Sequence, residues 1–262
     1  MMGQQVNTGE SELVASGRSG GTNTSHTIII EGLTNLLAAV DSRAEAEEYA
    51  EAVIEQNILG KNTLGSRQRT LRYLRELYLL RPDSVLFRAL RDIWKDDPSG
   101  QPLLAGLCAL ARDAVFRASS SVILESNPGD EITSSDLAAA VEQVFSSAYS
   151  DLTLAKIGRN TFSSWEQTGH LETASNRGKI RRRAVCTPST TAYALLLGHL
   201  EGVRGAALFD TFWARILDQP RSHLMDLAAV ASQRSLIDFR YSGGITEVGF
   251  SELLRPMEGT ML

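Results

Sequence analysis

The sequence predicts a mainly helical protein: an N-terminal helical bundle followed by winged helix-turn-helix units with short β-hairpin wings. Two observations carry this. Apolar residues recur at three- to four-residue steps through most of the 262-residue chain, and twice, near residues 171–187 and 236–250, helical spacing gives way to short alternating runs around a glycine turn. Hydrophobic residues at 43% and charged residues at 22% are ordinary for a globular fold. The expected division is a disordered tail (1–25), an N-terminal helical domain (26–130), a winged-helix domain (131–200) and a C-terminal helical, winged-helix-like unit (201–262).

The opening residues are rich in Gly, Ser, Thr and Asn and contain no apolar run of the kind a secretory signal needs. Thr34 to Gln56 then reads as one amphipathic helix, with Leu36, Leu37, Val40, Ala44, Tyr49 and Val53 inward and Glu45, Glu47, Glu48 and Glu51 outside. After a linker, Ser66 is placed to cap a helix carrying Leu71, Leu74, Leu77 and Tyr78, which Arg81-Pro82-Asp83 ends. Val85 to Trp94 is a short helix, and Leu103 to Glu125 a nearly apolar one expected at the centre. Its apolar core is cut off by Arg112 and Asp113, far short of the roughly 20 residues that span a bilayer. The expectation is a cytoplasmic protein without a membrane partner.

From Ile132 the pattern becomes helix, helix, hairpin. "ITSSDLAAAVEQVF" offers a cap and an apolar face; Ser150 or Asp151 caps a second helix with Leu154, Ile157, Phe162 and Trp165 inward. Gly169 is placed to end it in a left-handed conformation, and "HLETASNRGKIRRRAVCTP" reads as two strands around a Ser-Asn-Arg-Gly turn. Leu195–Leu200, Ala206–Leu217 and the stretch around Leu224, Leu227, Val230 and Ala231 read as helices. Leu236–Tyr241 and Ile245–Phe250 alternate as strands about Ser242-Gly243-Gly244. This last tip lacks basic residues, which suits contact with protein better than with nucleic acid.

Two basic clusters stand out in a chain whose formal net charge is −5. Arg67, Arg69, Arg72 and Arg75 lie on one predicted helix, in a stretch from Lys61 to Lys95 that also holds Arg81, Arg88 and Arg91 against only Glu76, Asp83 and Asp92. Such segregation concentrates a polyanion, although a solvated helix face would look the same. The second cluster is the hairpin: Arg177, Lys179, Arg181, Arg182 and Arg183. The helix before it presents Lys156, Arg159, Asn160, Ser163 and Gln167, residue types able to meet phosphates or base edges, with Asn and Gln suited to adenine. Winged helices also serve as protein-docking modules, and that alternative stands.

Catalytic signatures are thin. His26, His170, His199 and His223 are scattered, and neither an HExxH pattern nor a phosphate-binding glycine loop occurs. Cys108 and Cys186 have no CxxC pairing and are expected to be buried thiols. Asp130, Glu131 and Asp136 flank a helix start, where the helix dipole explains them. No catalytic residue, metal or cofactor is expected.

The succession of "NILGKNTLGSRQRTLRYLRELYLL", "LLAGLCALARDAVFRASSSVIL", "ITSSDLAAAVEQVF" and "LAKIGRNTFSSWEQTGHLE" running into a wing resembles the BrxA proteins of bacteriophage-exclusion (BREX) defence islands, over roughly residues 30 to 200. Asn57, Leu59, Ser66 and Arg67 match family positions after the first helix. Gly169, His170, Leu171 and Glu172 match a Gly-aromatic-Leu-Glu step, with His replacing the aromatic. The unit after residue 205 looks longer than in the short family members. The resemblance implies a NusB-like helical domain and a winged helix. It also implies double-stranded DNA binding and service beside a methyltransferase, an ATPase and a phosphatase-like protein. A non-enzymatic DNA-binding accessory protein is therefore expected; the alternatives are a docking adaptor of the defence complex or a transcriptional regulator.

Overall fold

The computed structural model describes residues 12–14, 20–174 and 178–255. Among these the protein is mainly helical, with two small antiparallel sheets.

The expected helix from Thr34 to Gln56 is two: α1 (Ile30–Ala39) and α2 (Ala46–Ile54). The break is local chemistry. Val40 turns extended, the Asp41 carboxylate accepts from the Arg43 N–H at 2.8 Å, and Glu45 and Glu48 form a reciprocal capping box that starts a new helix. Helix α3 (Leu64–Tyr78) is capped by Thr63, not Ser66; Ser66 occupies the third helical position and returns the bond. Leu79 and Leu80, at φ 65° and 53°, end it before Pro82. Helix α4 (Val85–Trp94) lies where the sequence places it.

The apolar run after residue 100 is broken into α5 (Gln101–Arg112), α6 (Ala114–Ala118) and α7 (Ser120–Glu125). Asp113 adopts extended backbone and caps α6 by accepting from the Phe116 N–H at 2.9 Å, so the helix must restart there. Helix α5 is buried on every side from Leu103 to Ala111, as its composition predicts.

A two-residue strand that the sequence reading lacks, β1 (Glu131–Ile132), precedes α8 (Ser134–Val144) and α9 (Asp151–Gln167). The hairpin β2 (Leu171–Thr173) and β3 (Lys179–Arg181) follows, and β3 lies between β1 and β2. Helices α8 and α9 cross closely at Gly158, where a Cβ would run into the Ser134 carbonyl oxygen. Gly169 has φ 85°, the left-handed turn expected of it.

Helix α10 (Pro188–Leu200) leads to a 3-10 turn at Gly205–Asp210 and to α11 (Phe212–Ile216), capped by Thr211; the expected helix from Ala206 is thereby interrupted. Helix α12 (Arg221–Gln233) and the ribbon β4 (Asp238–Ser242) and β5 (Ile245–Gly249) close the described chain.

One apolar cluster runs from Ile28 to Leu253 through Leu104, Leu107, Trp165, Leu197 and Trp213, drawing residues from either side of positions 130 and 200. Trp94, Trp165 and Trp213 are all buried in it. A smaller cluster of Val115, Val141, Phe145, Leu154 and Ile157 joins α6 to α8 and α9. The expected tail is corrected in part: Glu12, Thr22 and Asn23 are buried, because their polar groups complete the hydrogen bonding of helix ends and loops. No helix of the described residues is long and apolar enough to cross a membrane.

Candidate nucleic-acid interface

Residues 22–30 bridge α3 and α9. On the α3 side Thr22 donates to Glu76 at 2.7 Å, His26 packs on Tyr73 at 5.5 Å, and the Tyr78 hydroxyl donates to the Ile28 carbonyl at 2.5 Å. On the α9 side the Asn160 amide donates to the Asn23 carbonyl at 2.9 Å, and the Ser164 hydroxyl donates to Asn23 Oδ1 at 2.7 Å. Gln167 Oε1 accepts from the Ile30 N–H at 3.2 Å. Asp113 anchors the centre, accepting from both the backbone and the side-chain amide of Asn23. Burial raises its carboxyl above the ordinary aspartate value, opposed by those hydrogen bonds.

This geometry corrects the expectation for Asn160 and Gln167. Each amide gives one hydrogen bond to residues 22–30, the Asn160 nitrogen as donor and the Gln167 oxygen as acceptor, and both side chains are half-buried, which limits their reach toward a groove. The N-terminal half of α9 is more open. Lys156 and Arg159 are exposed and, among the described residues, neither has an ion pair or hydrogen bond. Ser163 is half-buried on the same side, and Leu152 is 84% exposed at its start.

The hairpin cations divide by strand parity. Lys179 and Arg181 are two residues apart and point inward, where both are buried. The Lys179 ammonium lies 2.7 Å from Glu166 and 4.2 Å from the Phe162 ring centre. Lys179 and Thr173 hold the Glu166 carboxyl below its ordinary value, although burial pushes the other way. Arg181, only 2% exposed, pairs with Asp218 at 3.0 Å and donates to the Ile123 carbonyl at 3.2 Å. These two cations are structural pins and not phosphate ligands. Arg182 and Arg183 are exposed, but Arg182 lies 2.6 Å from Glu172, and Arg183 lies 3.8 Å from Asp218. Arg177 lies outside the described residues.

On α3 the period is 3.6 and the outcome is reversed. Arg69, Arg72 and Arg75 are exposed. Arg69 has no partner among the described residues, Arg72 lies 3.8 Å from Glu76 and over the Tyr73 ring, and Arg75 reaches only the Ala46 carbonyl at 3.5 Å. Arg67 is the exception. It donates to the Ile54 carbonyl at 2.9 Å and the Lys61 carbonyl at 3.3 Å, closing the end of α2, so it holds the loop and not a ligand.

Adjoining hollows run along this face, lined by Arg72, Arg75, Arg81 and Arg112 together with Glu12 and Glu76. Arg112 is the residue sequence reading missed. It ends an apolar helix, and only the packing of α5 on α3 brings it beside Arg72 and Arg75; its Nε donates to the Glu76 carbonyl at 3.3 Å.

His170 is buried against Trp165 edge to face at 5.1 Å. One ring nitrogen lies 2.9 Å from the Ile216 carbonyl and the other 2.8 Å from the Thr168 hydroxyl. Burial lowers its pKa to about 4, so the ring is neutral and packs in the core while satisfying two polar neighbours. Cys108 is buried and its thiol is pushed up to about 12, whereas Cys186 is half-buried; no cluster suited to a metal ion occurs among the described residues. Neither protein-family models nor curated proteins give a match to this chain.

Proposed function

We propose that the protein is a non-enzymatic double-stranded DNA-binding accessory factor of a phage-defence system of the BREX type, reading phosphates and not bases. The observation that supports this is the chain order β1–α8–α9–β2–β3 with β3 central in its sheet, which we read as a winged helix, on which the second helix presents Lys156 and Arg159 exposed and, among the described residues, unpaired. Helices α1 to α5 supply a second basic face through Arg69, Arg72 and Arg75, on a bundle we read as NusB-like. Because residues 22–30 take one hydrogen bond from each amide of α9, the most exposed contacts left are electrostatic, which favours salt-sensitive binding with little sequence preference. Methyltransferase, ATPase and phosphatase-like partners follow from the family resemblance.

Fluorescence anisotropy of a random duplex, titrated at several salt concentrations, tests the reading. Expected is binding that weakens with a log-log slope of about −0.9 per phosphate neutralised. Absence of binding at about 50 mM salt would sink it and promote the adaptor reading. The specific support for an adaptor is the C-terminal ribbon, whose Tyr241 and Ile245 are exposed beside a turn without basic residues.

A further inference from the structure

At the corner where α2 meets α4, four buried polar atoms lack a well-formed hydrogen bond among the described residues: the Tyr49 hydroxyl, Arg88 Nε, and Arg91 Nε and Nη1, with the Arg91 guanidinium set against the Tyr49 hydroxyl. They converge. Arg88 and Arg91 are one turn apart on α4, Arg91 lies over the Phe87 ring at 5.8 Å, and Phe87 meets the Tyr49 ring edge to face at 5.3 Å. Arg88 is 8% exposed. Elsewhere in the protein the buried cations Lys179 and Arg181 sit within 3.0 Å of a carboxylate, whereas here the carboxylate that reaches Arg91, Asp92, is 3.8 Å away.

The acidic groups nearby are already engaged. Asp92 lies 3.0 Å from Arg255 and 3.8 Å from Arg91 Nε, so one carboxylate serves two guanidinium groups beside Arg88. Glu252 pairs with Arg255. The Glu12 carboxylate accepts from the Ser84 hydroxyl and from the Val85 and Leu86 N–H groups, at 2.9 to 3.0 Å. Burial lowers the pKa of Arg88, the direction expected of a cation short of acceptors, and raises that of Tyr49, which keeps its hydroxyl proton. A buried guanidinium without an acceptor is costly, and native proteins seldom leave one unmatched. Two planar forks and a hydroxyl donor are the complement of an oxyanion with two or three acceptor oxygens.

We propose that Arg88, Arg91 and Tyr49 bind a small oxyanion, a phosphate or carboxylate group, at a site separate from the nucleic-acid face. Buried water would fill the same positions without answering the charge.

The test is thermal unfolding of the full chain, freed of phosphate, with inorganic phosphate or acetate added against chloride at equal ionic strength. Expected is a saturable rise in Tm of about 2 to 5 °C at tenfold excess over Kd with at least one of the two anions. Which anion acts distinguishes a phosphate source from a carboxylate source. Arg91→Gln should abolish the rise, and the Arg72→Ala, Arg75→Ala double variant should keep it. Should Arg91→Gln fail to fold, Arg91→Lys keeps the charge without the fork and should weaken the response by about fivefold or more. No rise with either anion, or an undiminished response in Arg91→Lys, overturns the proposal. Displacement of bound phosphate by random duplex would also overturn it as a separate site and assign these arginines to the DNA surface.

Discussion

Helix α3, with four arginines, and strand β3, with Lys179 and Arg181, both carry clustered cations, and the fold treats them in opposite ways. On α3 the helical period places Arg69, Arg72 and Arg75 on the face away from Leu71, Leu74 and Leu77, so the cations stay exposed and the helix is held by apolar contacts. On β3 the two-residue period turns Lys179 and Arg181 inward, where they are matched by Glu166 and Asp218 and anchor the hairpin to α9 and α7. Clustered cations in sequence thus yield an exposed basic surface in one region and polar scaffolding in the other.

Acid should separate the two regions most strongly. His170 sits under the hairpin, with its carbonyl accepting from the Arg182 N–H at 2.8 Å, and its folded pKa of about 4 is below the ordinary 6.5. Folding therefore favours the neutral ring. The stability this provides is complete above about pH 6.5 and is lost as pH falls toward 4, about 3 kcal/mol in all. The Arg181 guanidinium, the Thr168 hydroxyl and the Ile216 carbonyl face the ring. His170→Phe should flatten unfolding curves across that range. Asp113, raised by burial, acts in the opposite sense above its ordinary value, but it is common to both proteins and cancels in the difference. An identical pH profile for wild type and His170→Phe would break the assignment.

Next in size is Arg181→Ala, which should cost about 2 to 3 kcal/mol in denaturant unfolding, moderated because Asp218 keeps some water contact. Arg183→Ala, at the same carboxylate but exposed, should cost under about 1 kcal/mol. Equal costs would erase the distinction between inward and outward cations on the strand.

On α3 the expectation is inverted. Arg72→Ala with Arg75→Ala should leave Tm within about 2 °C, while lowering duplex affinity roughly tenfold and the salt slope by about 2. A large fall in Tm would make these arginines structural, like Arg181. The smallest effect sharpens the comparison within α9: Asn160→Ala should cost about 1 kcal/mol of stability through the lost bond to Asn23 and leave sequence preference on DNA unaltered. A changed base preference, measured by competition between duplexes, would return Asn160 to the groove.

Much of the fold was legible because its signals are local. Helix α4, the ends of α9 at Ser150 and Gly169, and the hairpin followed from spacing, caps and a glycine with positive φ. So did the burial of all three tryptophans, since apolar periodicity records which face meets the core. The misplaced breaks had local causes as well, but weaker ones: Glu45 and Asp113 are caps that a periodic apolar pattern overrides on paper. What no local pattern contained was the fate of the polar residues. Whether Asn160 and Gln167 face water or the segment at residues 22–30, whether Arg181 is a ligand or a pin to Asp218 and Ile123, and whether Arg112 joins Arg72 and Arg75 depend on partners far away in the chain. Sequence determined where cations and amides occur and which period carries them; tertiary structure decided which are used up. The hydrogen-bonding capacity of a polar side chain is fixed by its type, but whether it remains free depends on what packs within 3 Å of it.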